Sequence, residues 1–239
     1  MNTRQRAGAM AAVAAAGLAA GFLCYRWQSA HLPQPMHPPV AAMAQPDEDA
    51  IPPPLPPVPA IVPQLELPDL AGHPRSLRSF VGGPLIINFW ATWCEPCRRE
   101  IPLLEQLLRS HRSQKLQIVG IAIDFRQAVQ DFMRRQHIAY PVLVGEEEGL
   151  AAAQHFGMEP VLPFSVFADA QGDILAVKIG ELHRDEADFV LAQLQALDER
   201  RIELPQAREQ VQSRLRELAM QRAALPARST QDPGSSTKN

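Results

Sequence analysis

The chain has 239 residues, 46% hydrophobic and 21% charged, with 23 prolines, three cysteines and a formal net charge of −3. That length admits one large domain or two small ones, and a charge this close to zero excludes a basic field for nucleic acid and an acidic tail. Three cysteines are too few for a disulfide scaffold, and two of them share one tetrapeptide.

The N-terminus, MNTRQR, is basic and free of acids, and Ala7 to Tyr25 follows without a single charge. As a helix this segment would be roughly 28 Å long, about the thickness of a bilayer's hydrocarbon core. Arg4 and Arg6 precede it, and after Arg26 no Lys or Arg occurs until Arg75. The positive-inside bias therefore predicts an anchor over 1–30, with its N-terminus in the cytoplasm and the bulk of the chain outside. A cleaved signal peptide fits the same residues, although the nearest small-x-small site, Ala42-Met43-Ala44, lies far downstream. Cys24 lacks the small neighbour that a lipidation site wants, which leaves it as a membrane-embedded thiol.

From His31 to Pro63 proline falls at about every third residue. Proline removes a donor and clashes with a helical turn, so 31–63 is expected to be an extended linker, reaching up to about 100 Å at roughly 3.1 Å per residue.

Over 64–200 strand and helix signals alternate. Pro84 to Trp90 is a continuous apolar run, suited to a strand covered on both faces. Glu95 to His111 carries Ile101, Leu104, Leu107 and Leu108 at helical spacing, with a kink expected at Pro102. Leu116 to Ile123 is a second buried strand, Phe125 to His137 a second amphipathic helix, Tyr140 to Val144 a short strand and Gly149 to Phe156 a short helix. Phe164 to Ala168 and Ile174 to Ile179 form a hairpin about the turn Asp169–Asp173. Arg184 to Leu197 closes the domain with Ala187, Val190, Leu191, Leu194 and Leu197 on one face. The order predicts an α/β fold: one mixed sheet with helices on both faces. Over 201–239, Val211, Leu215, Leu218 and Ala219 mark one more amphipathic helix, favoured to dock on the fold, ahead of a disordered tail from Ser229.

Trp93-Cys94-Glu95-Pro96-Cys97 stands where the first strand turns into the first helix. Cys94 falls at the N-cap or first turn, where unpaired N–H groups and the helix dipole stabilise an anion. Its thiolate is favoured, which makes Cys94 the expected nucleophile, with Cys97 one turn on as the resolving thiol. Pro96 sits where a missing N–H costs nothing. A metal site needs two further ligands, and no second cysteine pair or suitably spaced histidine supplies them. A purely structural bridge over so short a loop would add little stability. Pro163 opens the hairpin strand, where a cis bond would leave the preceding backbone free to pair with an incoming peptide.

FWATWCEPCRREIP, the preceding ELPDLAGHPRSLRSFVGGPLIINFW and the downstream LPFSVFADAQGDIL together resemble the membrane-anchored TlpA/ResA/CcmG branch of the thioredoxin-fold oxidoreductases, over roughly Leu65 to Leu197. The resemblance implies a thioredoxin fold with no cofactor beyond the Cys94–Cys97 pair. It further implies a disulfide reductase of the bacterial periplasm, single-pass in the inner membrane. Its electron donor would be a membrane-embedded thiol carrier, and its substrates protein disulfides, such as apocytochrome c heme-site thiols or copper-site cysteines. Matching motifs make Cys94 the nucleophile, Cys97 the resolving thiol and Pro163 the cis-proline. Asn88 stands where thioredoxin carries a buried Asp, so Asp124 is the expected proton acceptor for Cys97. Glu95 is expected to raise the Cys94 pKa by like charge. Trp93, Pro96 and Leu162 are the expected substrate-binding residues. The competing reading is a copper-handling module that uses the two thiols as ligands.

Overall fold

The computed structural model describes residues 26–27, 57–159 and 161–224. The chain divides into two units, Met1–Pro52 and Pro53–Asn239. In the first, Arg26 and Trp27 are helical. The segment Ala7–Tyr25, expected as an anchor, lies outside the described residues, as do most of the proline-rich stretch and the tail from Ser229. Among the described residues no helix is long and apolar enough to cross a membrane.

The second unit is built on a five-stranded sheet. In chain order its strands are β3 (Leu85–Trp90), β4 (Gln117–Ala122), β5 (Val142–Val144), β6 (Phe164–Ala168) and β7 (Ile174–Ile179), arranged β5-β4-β3-β6-β7. The pairs β3–β4 and β4–β5 are parallel, whereas β3–β6 and β6–β7 are antiparallel. Every residue of β3 is buried, the expected state of a central strand covered on both faces. The helices are α1 (Glu95–Ser110), α2 (Arg126–Gln136), α3 (Glu146–His155), α4 (Arg184–Asp198) and α5 (Leu204–Ala224).

Two apolar layers sandwich the sheet. One joins Ile86, Trp90 and Ile118 to Leu104 of α1, Phe132 of α2 and Leu194 of α4. The other joins Ile87, Phe89 and Val119 to Phe156 at the end of α3 and to the N-terminal segment at Val62 and Leu67. Successive residues of β3 feed opposite layers because strand side chains alternate in direction. Helix α1 runs unbroken through Pro102, which is exposed, so its missing N–H falls on the solvent side. Helix α3 begins at Glu146, ahead of the expected Gly149. Glu146, Glu147 and Glu148 occupy its first turn, where acids complement the helix dipole.

Two segments depart from the sequence expectation, and the C-terminal helix docks as expected but begins earlier. Residues 57–63, assigned to the linker by proline spacing, already belong to the packed unit. Ile174 N–H donates to the Ala60 carbonyl at 2.9 Å and Val62 N–H to the Gly172 carbonyl at 2.8 Å, while Val62 is fully buried. Pro59 and Pro63 fall on either side of these bonded positions, so their missing N–H groups cost the pairing nothing. A small hairpin, β1 (Glu66–Pro68) with β2 (Pro74–Ser76), also went unread. Its turn is fixed by Asp69, whose Oδ1 accepts from Ala71 N–H at 2.8 Å and His73 N–H at 2.9 Å, a local bond typical of aspartate in turns. Helix α5 starts at Leu204 and buries Ala207, Val211 and Leu218, leaving Leu215 half-covered and Ala219 exposed. Arg208 fixes it to the sheet edge through the Ile174 carbonyl, at 3.0 Å from Nε and 2.7 Å from Nη2. At residues 60–62 and at α5, polar groups far apart in sequence complete the packing.

Candidate functional site

Strand β3 ends at Trp90, and Ala91-Thr92-Trp93 carries the chain to Cys94, the N-cap of α1. Cys94 and Cys97 form a disulfide with an S–S distance of 2.00 Å and Cα atoms 5.3 Å apart. Cys97 is fully buried and Cys94 nearly so. The backbone N–H of Cys97 points at Cys94 Sγ, 3.3 Å away. A reduced Cys94 would meet an orphan donor of the helix terminus there, the arrangement that holds a thiolate. Trp93 beside it is 69% exposed, whereas Trp90 is fully buried and packs on Phe132, with ring centroids 5.4 Å apart. Trp90 therefore belongs to the core, and Trp93 to the surface around the sulfurs.

The loop before Cys94 is held by Asp124, which follows β4. Its Oδ2 accepts from Thr92 N–H at 2.9 Å and from the Thr92 hydroxyl at 2.5 Å, and its Oδ1 accepts from Phe125 N–H at 2.8 Å. Both oxygens are thus committed to positioning neighbouring backbone. Replacing Asp124 by Ala is expected to cost about 1–3 kcal/mol, because buried donors lose their acceptor. Urea unfolding of the variant checks this. Unchanged stability with lost exchange activity would instead give Asp124 the proton-accepting role expected from sequence.

Glu95 points outward, 78% exposed, and pairs with Arg99 at 3.0 Å. Its charge is therefore shared with a cation one turn along the helix, which opposes the like-charge effect on Cys94 expected from sequence. Arg99 also reaches Glu181 at 2.6 Å, so this corner of α1 is tied to the segment after β7. Pro96 and Leu162 are half-buried and Pro163 is buried. The Leu162–Pro163 bond is cis. Phe164 pairs with Phe89 of β3, so Leu162 and Pro163 stand at the same end of the sheet as Cys94.

One residue of this region escaped the sequence reading. Glu100, three positions after Cys97 on α1, is 1% exposed. Its Oε1 accepts from Asn88 Nδ2 at 2.7 Å and its Oε2 from Leu182 N–H at 2.7 Å. Burial away from water pushes its pKa up to about 7, against the two hydrogen bonds, which favour the ionised form. Three residues apart on a helix, Cys97 and Glu100 are neighbours on one face. Asn88, paired in register with Ser165, also donates to that hydroxyl at 3.1 Å. The available signal was an acid inside the buried stripe Cys97–Ile101–Leu104, where a charge is rarely placed without a task.

Among the described residues, no group of three or more His, Cys, Asp or Glu is arranged to hold a metal ion.

The family model described as AhpC/TSA matches residues 58–177. The chain belongs to the AhpC/TSA family. Its members' thioredoxin-type fold accounts for the mixed sheet with Cys94 at the end of the central strand. The thiol-disulfide oxidoreductase ResA of Geobacillus kaustophilus is 26% identical over 127 residues, 53% of this chain and 71% of that protein. A thiol:disulfide interchange protein of the thioredoxin family from Chlorobium tepidum is 33% identical, over 53% of this chain and 90% of its own, with a TM-score of 0.47. A Neisseria meningitidis protein described as a thioredoxin is 25% identical, over 57% of this chain and 90% of its own, with a TM-score of 0.50. Family, fold and paired sulfurs together make the chain an enzyme of the thioredoxin-like thiol-disulfide oxidoreductase type.

Proposed function

We propose that the chain works outside the cytoplasm as a reductase of protein disulfides. The observation that carries the reading is the Cys94–Cys97 disulfide at the opening of α1, with one sulfur facing a helix N–H and the other fully buried. In the reduced enzyme the Cys94 thiolate attacks a substrate disulfide, forming a mixed disulfide and releasing one substrate thiolate. The Cys97 thiol then gives up its proton and attacks Cys94 Sγ. The enzyme disulfide closes, and the second substrate sulfur leaves as a thiolate. Two electrons pass from enzyme to substrate. Glu100, titrating near neutral pH beside Cys97, takes the resolving proton, and Asp124 positions the loop.

The surface suits a polypeptide. Trp93 at 69% exposure, Phe125 at 65%, Val161 at 55% and Ile179 at 55% are large exposed apolar side chains. All four belong to segments at the end of the sheet where β3 runs into Cys94. Trp93, Pro96 and Leu162 would contact the bound strand, and Pro163 would present the backbone before it. The uncharged Ala7–Tyr25 segment supports attachment to the inner membrane with the catalytic unit in the periplasm, where a membrane-embedded thiol carrier would re-reduce the pair. The ResA name borne by the Geobacillus relative supports the same class of chemistry.

The test is a trapping experiment. Reduced Cys97→Ser protein, mixed with a disulfide-bonded polypeptide such as insulin, is expected to accumulate a mixed disulfide through Cys94, visible by non-reducing electrophoresis and mass. Absence of any adduct, with the wild type also failing to reduce insulin or an apocytochrome peptide, would overturn the reading.

A further inference from the structure

We propose that Arg222, near the end of the C-terminal helix α5, is a positioning residue for the active site: through Glu186 and Lys178 it governs when Glu100 releases its proton. The proposal rests on the exchange mechanism above and assigns it a regulator outside the family-matched segment. That match ends at residue 177, and every charged group in this relay beyond Glu100 itself lies after it.

Three consecutive residues between β7 and α4 each hold a different charged group. The Glu181 carboxylate takes Arg99 of α1 at 2.6 Å. The Leu182 N–H donates to Glu100 Oε2 at 2.7 Å. The His183 N–H donates to Glu186 Oε2 at 3.0 Å, closing a capping box at the start of α4. Lys178 fastens the loop, donating to the Ile179 carbonyl at 2.9 Å and the Glu181 carbonyl at 3.2 Å, and it lies 3.6 Å from Glu186 Oε1. Glu186 is fully buried, and a buried carboxylate requires cations around it. Its Oε1 is shared between Lys178 and Arg222 Nη1, the latter at 2.7 Å. Arg222 also pairs with Asp185. A single side chain from α5 thus bears on the loop that grips the active-site carboxyl.

The groups facing Glu100 come from every element packed on it. They are Asn88 of β3 with Ser165 of β6 behind it, Lys178 of β7, Glu181, whose carboxylate holds Arg99, the Leu182 N–H of the loop, Tyr140 ahead of β5, and Cys97 one turn earlier on its own helix. Lys178 is the one among them whose positive charge favours the ionised carboxylate, while Glu181 opposes it. With Arg222 present, Glu186 divides its charge between two cations. Without it, Glu186 falls wholly to Lys178, draws it from the loop carbonyls and cancels the charge that Glu100 senses. Glu100 then keeps its proton to higher pH.

The full chain is tested by following the reduction potential of the Cys94–Cys97 pair against glutathione from about pH 5 to about pH 9. The change of slope that belongs to Glu100 is the one that Glu100→Gln removes. Arg222→Met is expected to move that break to higher pH, by on the order of half a unit. Lys178→Gln is expected to move it the same way, and Arg222→Lys, which keeps the charge, to leave it nearer the wild type. If Arg222→Met lowers the melting temperature and the break stays in place, the arginine only holds the helix and the proposal falls while the exchange mechanism stands. If Arg222→Met does not fold, an unmoved break in Lys178→Gln overturns it equally. A break that survives in Glu100→Gln removes Glu100 from the mechanism and the relay with it.

Discussion

Replacing Cys94 by Ser is expected to lower the rate of protein-disulfide reduction by at least about a thousandfold while leaving the fold intact. Cys94 has two separable tasks. As the N-cap of α1 its side chain accepts the Cys97 N–H, and serine is among the best residues for that task. As the proposed nucleophile it must present a sulfur anion, which a hydroxyl cannot replace at neutral pH. The variant should therefore match the reduced wild type in thermal stability to within about 1 kcal/mol and yet form no adduct with substrate. Insulin reduction and unfolding, both measured on reduced protein, check the two halves. Turnover that survives in Cys94→Ser and disappears in Cys97→Ser would exchange the roles of the two sulfurs.

The second large effect concerns pH. Glu100 has an ordinary value of 4.5 and is raised to about 7 by burial, so the folded chain binds its proton more tightly than the unfolded chain. The sign follows directly. Between these two pH values the native state carries the extra proton, so its stability is fully present below about pH 4.5, is lost as pH rises to about 7 and is flat beyond. At about 1.4 kcal/mol per pH unit, the loss amounts to roughly 3 kcal/mol. Glu100→Gln keeps the shape and one of the two acceptor oxygens, sets its NH2 against either the Asn88 or the Leu182 donor, and has no charge to bury. The variant's stability should not fall over that window, so its difference from the wild type should move in its favour by about 2–3 kcal/mol between pH 5 and pH 8, whatever the cost of the donor that loses its acceptor. On the proposed mechanism it should also resolve mixed disulfides slowly, since Cys97 would lose its proton acceptor. Urea unfolding at pH 5 and pH 8 measures the first effect and stopped-flow release of substrate thiol the second. Parallel pH profiles for the two proteins would contradict the assignment of a near-neutral titration to Glu100.

Much of the fold was legible in the sequence because hydrophobic periodicity reports local geometry. The run Leu85–Trp90 could only be a strand covered on both faces, and the spacing of Ile101, Leu104 and Leu107 could only be one face of a helix. The motif was equally plain, since two cysteines three apart at a strand-to-helix turn leave few chemical uses. The missed elements were those that local pattern does not encode. The Ala60–Val62 pairing was hidden by its prolines, and the β1–β2 hairpin was too short to show an alternation.

The sequence by itself determined the order of the elements from β3 to α4, the position of the paired sulfurs at a helix start and the apolar stripes that build two layers. Only the tertiary structure decided which polar groups share the region around those sulfurs. Glu100 meets Asn88 twelve residues away and Leu182 eighty-two residues away, and Arg222 meets Glu186 across thirty-six. Asp124 holds Thr92 across thirty-two residues. The reason is physical. Helical and strand periods follow from the backbone and are written along the chain, whereas the pKa of a buried acid depends on desolvation and on charges brought in by distant segments.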